Sequence, residues 1–95
     1  MGQKLPLDQL ALYKRIDEIL WKDWDPIGIS DMPQARDEYY GYLPHVFSLA
    51  LDNQPAEKIA EYLHWVASER MGLAESTVAA HLAIAEKILA ARPGA

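Results

Sequence analysis

Ninety-five residues leave room for one domain, and a hydrophobic content of 51% supports a compact core and excludes a disordered chain. With no cysteine there is no disulfide, no thiolate zinc site and no catalytic thiol, so a reducing cytoplasm is the expected location. The net charge of −5 disfavours nucleic-acid phosphates, and no apolar run is long enough to cross a bilayer.

The opening MGQKLPLDQL lacks the apolar core of a secretion signal, so no leader is expected. Residues 1–6 and 93–95 read as frayed ends of a single domain spanning 1–95. Leu10, Tyr13, Ile16, Leu20 and Trp24 then recur every three or four residues, with Leu12 and Ile19 widening the stripe. That spacing predicts an amphipathic helix near 8–24, with Asp8 suited to its positive end. Pro26 stops the pattern, because the residue before a proline is pushed away from helical geometry.

The segment DPIGISDMPQAR carries two prolines, a glycine and two aspartates, which is the composition of a long corner. Asp25 before Pro26 is expected to accept hydrogen bonds from the following backbone N–H groups, and Gly28 to reverse the chain through a positive φ. Trp24 would anchor this corner to the core. Beyond it, Leu43, Val46, Phe47 and Ala50 mark a second helix near 42–53, with Pro44 tolerated in its first turn. Asn53-Gln54-Pro55 breaks the chain. Ile59, Tyr62, Leu63, Val66 and Met71 mark a third helix near 55–71, which Gly72 ends as a left-handed cap. The alanine-rich run from Ala74 to Arg92 gives a fourth near 75–91, striped by Val78, Leu82, Ala85 and Leu89. No stretch alternates with a period of two. The expected fold is all-α, a compact bundle of four helices with one long Pro/Gly corner after the first.

WDPIGI at 24–29, DEYYGYLP at 37–44 and MGL at 71–73 together resemble a group of small uncharacterised bacterial helical proteins. Those share a Trp-Asp-Pro-(Ile/Leu)-Gly turn, an Asp-Glu-Tyr-x-x-Tyr helix start and a later Met-Gly-Leu. The resemblance covers roughly residues 10–73 and implies a small helical fold with no established activity.

The residues offer little for catalysis. Ser30, Ser48, Ser68, Ser76 and Thr77 lack a nucleophile elbow, and no glycine-rich cradle follows a strand. Glu61 and His64 have the Glu-x-x-His spacing of di-iron bundles, but the chain holds one copy where such a site needs two. A metal would therefore require dimer symmetry, and neither metal nor cofactor is expected.

The charge is uneven. Residues 25–52 carry Asp25, Asp31, Asp37, Glu38 and Asp52 against Arg36 alone, which is −4 of the −5. Solvated acid of this kind keeps a protein soluble, yet beside Tyr39 and Tyr40 it also suits recognition of a basic protein. Trp24 and Tyr42 fall where the helical stripes need core residues. Trp21 and Tyr40 fall off those stripes, as surface contacts or as packing under the corner. The leading expectation is a non-enzymatic module that binds a protein partner, an acidic inhibitor or immunity-type protein being one version. Asp31, Asp37, Glu38, Tyr39 and Tyr40 are its candidate contacts. A self-associating helical protein and a metal-binding bundle using Glu61 and His64 are the alternatives.

Overall fold

Leu12, Ile16 and Ile19 recur at the spacing of one helix face, and all three are fully buried. The first two lie in α1 (Leu7–Glu18). Ile19 opens a wider π-helical continuation, Ile19–Trp24, closed by the Asp25 N–H on the Leu20 carbonyl at 3.0 Å. This structure, a computed structural model, describes residues 5–74 and 76–92. The later helices are α2 (Leu43–Leu51), α3 (Ala56–Trp65) with a second π-helical continuation Val66–Arg70, and α4 (Val78–Ala90). Among the described residues there is no strand. The chain is an all-α bundle of four helices with the long corner between α1 and α2.

The π turns change which side chains face inward. An α-helical period leaves Trp21 off the stripe of Ile16, Leu20 and Trp24. The widened turn places Leu20, Trp21 and Trp24 all in the core. Trp21 is thus a buried residue packed against the corner. A further aromatic, Trp65, ends α3 half-exposed.

α3 packs along α4, while the π turn of α1 meets α4 and the body of α1 meets α2. The shared core joins Val46 and Phe47 of α2, Ile59 and Leu63 of α3, and Ala85 and Ile88 of α4. Gly72 takes φ +72, the left-handed geometry expected where α3 ends. Thr77 caps α4, accepting from the Ala80 N–H at 3.2 Å, so the regular helix starts at Val78 rather than near 75. Of the expected frayed ends, residues 1–4 and 93–95 lie outside the described residues. Leu5, within the expected N-terminal end, is partly buried against the core. No helix among the described residues is long and apolar enough to cross a membrane.

Candidate functional site

The corner begins where Trp24, 7% exposed, ends the π-helical continuation of α1. Asp25 adopts φ +32 and Gly28 φ +67, so the chain reverses within four residues. The Asp25 carboxylate holds this reversal. Its Oδ1 accepts from the Ile29 N–H at 2.8 Å and its Oδ2 from the Ser30 N–H at 3.2 Å. Tyr39 donates its phenol proton to the same Oδ1 at 2.8 Å and accepts from the Ile27 N–H at 3.4 Å. Burial pushes the Asp25 carboxyl up, but these donors more than offset it and hold it below the usual carboxylate value. Burial and the neighbouring carboxylate together push the Tyr39 phenol well up.

Tyr39 therefore departs from its expected role. It is 3% exposed, with its ring 5.3 Å from Trp24 and 6.2 Å from Trp21 by centroids. A side chain so enclosed cannot present contact area to a partner. It is the bolt of the corner.

Its neighbour Tyr40 points outward, 47% exposed. Tyr40 lines a groove of about 330 Å³ with Leu10, Tyr13, Lys14, Asp17 and Leu43. Arg36, the one cation of residues 25–52, forms a two-pronged pair with Asp17, both N···O distances being 2.9 Å. Its guanidinium also lies 5.1 Å from the Trp21 ring and 5.7 Å from that of Tyr40. Asp31, Asp37 and Glu38 are exposed, and among the described residues none of them forms an ion pair. The segment thus keeps three exposed carboxylates without an ion pair among the described residues, two of them within three positions of Tyr40. Arg36 is matched by Asp17, while Lys14 of the groove is not paired among the described residues.

A second polar cluster joins Trp24 of the corner to α3 and α4. The Trp24 indole N–H donates to His81 Nδ1 at 3.0 Å. His81 Nε2 lies 2.7 Å from Ser76 Oγ, and Ser76 Oγ lies 3.0 Å from His64 Nδ1. An indole can only donate, so His81 Nδ1 is the acceptor and the proton of the neutral ring sits on Nε2. His81 therefore donates to Ser76 and cannot serve as its base. His64 Nδ1 is the remaining candidate acceptor for the Ser76 proton. Among the described residues no carboxylate stands behind His64, so the arrangement lacks the third member of a nucleophilic triad.

The helical spacing of Val78, His81, Ala85 and Ile88 was the available signal, since it sets His81 on the inner face of α4. Nothing in the sequence marks Ser76 or its contact with His64. Glu61 does not join this cluster. It lies 4.0 Å from Lys58, and among the described residues no three potential ligands gather at one point.

Burial lowers the His81 pKa, and the like charge of His64 lowers it further. A lowered folded-state value means that the unfolded chain binds the proton first. The stability held by neutral His81 is complete above its ordinary value of 6.5 and declines as pH falls below it. In melts at descending pH, the gap between parent and His81→Gln should narrow below about pH 6.5. A gap that stays constant, or widens, would show that His81 is not held neutral. Comparison with protein-family models, with curated proteins and with solved structures finds no match to this chain.

Proposed function

We propose that the chain is a non-enzymatic, cytoplasmic protein-interaction module that takes a basic partner, in the manner of an acidic inhibitor or immunity-type protein. The observation that carries this reading is Tyr40, half-exposed on a groove and close in sequence to Asp37 and Glu38, neither of which forms an ion pair among the described residues. A tyrosine supplies large contact area at small entropy cost, and free carboxylates steer a positive partner toward it. Leu10 extends the apolar surface on the α1 side. Lys14 and Asp17 also line the groove, so its floor is electrically mixed. The acid excess belongs to the Asp37–Glu38 flank, with Asp31 at the rim.

Capture from the source cell at low and moderate salt, followed by binding kinetics, tests the reading. Asp31→Lys should slow association several-fold and flatten its dependence on salt, because rim charge acts chiefly on encounter. Tyr40→Ala should speed dissociation by roughly tenfold, as expected for a contact worth more than about 1 kcal/mol. Thermal melts must first show both variants folded. A partner that binds both at parental rates, or that protects α4 instead, would place the docking face elsewhere.

A further inference from the structure

Behind the corner, Pro26, Ala67, Leu73, Ala74, Ser76, Ala80 and His81 line an open pocket of about 510 Å³. That volume lies within the usual range of small-molecule sites. Among the described residues the lining is apolar apart from Ser76 and His81, and none of these residues carries a formal charge apart from what His81 could gain. Burial holds that imidazole neutral. A charged ligand would lose its hydration here without gaining a counter-ion from the described lining residues.

The hydrogen-bond inventory narrows the ligand further. Both His81 nitrogens are engaged, Nδ1 by the Trp24 indole and Nε2 by Ser76. The Ser76 hydroxyl has one proton and two lone pairs, and one lone pair receives the His81 proton. What is left depends on the proton of His64. If His64 Nδ1 accepts, the Ser76 proton is engaged and one lone pair is free for a donor. If His64 Nδ1 donates, both lone pairs are engaged and the Ser76 proton is free for an acceptor. Among the described residues, Ser76 keeps one unused hydrogen-bonding direction in either case. A ligand hydroxyl can donate or accept through one oxygen, so it fits both arrangements without a change of partner. We propose that this pocket binds a small apolar hydroxyl compound, a phenol or a medium-chain alcohol, with Ser76 as its polar anchor. The site is separate from the Tyr40 groove, so either assignment can fail without the other.

Titration of the isotope-labelled protein with para-cresol, and with toluene as its hydroxyl-free counterpart, tests the proposal by nuclear magnetic resonance. Para-cresol should give saturable shifts at the Ala67, Leu73 and Ala80 amides and at the Trp24 indole N–H. Toluene should bind roughly three- to tenfold more weakly, the usual worth of one hydrogen bond. Ser76→Ala should abolish the difference between the two compounds. Ala80→Phe, a change at an exposed helix position, should fill the pocket and remove binding of both while the melt stays cooperative. The proposal is overturned by an absence of saturable shifts up to the solubility limit. Equal binding of the two compounds to the parent overturns it too, as does a difference that persists in Ser76→Ala.

Discussion

Trp24→Ala should lower the stability of the domain by about 3–5 kcal/mol, the usual cost of truncating a buried aromatic. Few residues here join as many parts of the fold. The Trp24 ring lies 5.3 Å from Tyr39, 6.4 Å from Tyr42 and 6.3 Å from His81 by centroids. Those three come from the corner, the turn before α2, and α4. Truncation opens a cavity between them and also leaves His81 Nδ1 buried without its donor, a loss of about 1–3 kcal/mol by itself. Domains of this size are stable by roughly 5–15 kcal/mol, so the variant should approach marginal folding. Trp24→Phe separates the two contributions, since it keeps most of the burial and removes only the N–H. Its expected loss is about 1–3 kcal/mol, from the unpartnered imidazole and a smaller ring. Denaturant melts of both variants are the measurement. An alanine variant within about 1 kcal/mol of the parent would show that Trp24 is not the junction of the fold.

The same residue marks how far the sequence could be read. Trp24 sits on a stripe with Ile16 and Leu20, and the Pro and Gly after it announce a corner, so its burial and the turn were both legible. Trp21 was not, because the inward face shifts wherever the backbone widens into a π turn. A count at α-helical period has no access to that change. Tyr39 was misplaced for a different reason. Its position in a polar, acidic run describes the water-facing neighbours, whereas its burial follows from a bond to Asp25 fourteen residues away. The Trp24–His81–Ser76–His64 chain joins elements up to 57 positions apart. Helical stripes report which side faces inward and are silent on which polar groups meet there.

The structure also redistributes the charge of the middle segment. Asp25 faces the backbone of its own corner and is not part of an outward acidic surface. Arg36 is matched by Asp17 of α1, outside the segment. Asp31, Asp37 and Glu38 of this segment are left facing water, the last two within three positions of Tyr40 in the chain. Tyr39, held inside by the corner, immediately precedes the outward Tyr40. The corner and the proposed docking face are therefore coupled, and damage to the first should disorder the second.

Asp25→Ala tests that coupling, with an expected loss of about 2–3 kcal/mol. This exceeds the ~1 kcal/mol of a single capping carboxylate, because three donors converge on one side chain. The Ile29 and Ser30 N–H groups and the Tyr39 hydroxyl would all lose their acceptor. Alanine would also have to occupy φ +32, where a side chain is strained by roughly 1–2 kcal/mol. Asp25→Asn keeps the shape and one oxygen while removing the charge, so it should cost about half as much. It also isolates the pH dependence. The folded-state pKa of Asp25 lies below its ordinary value of 3.8, so folding favours the ionised form. That contribution is complete above 3.8 and is lost as pH falls from there through the folded-state value. Parent and Asp25→Asn should differ most near neutral pH and converge as the parent carboxylate is protonated. Melts at pH 7 and near pH 3, with the exposure of Tyr39 followed by its absorbance, are the measurements. A difference that is the same at both pH values would mean that the carboxylate charge does not hold the corner. An Asp25→Ala variant that keeps Tyr39 buried and parental stability would show that the corner is held by its apolar contacts alone.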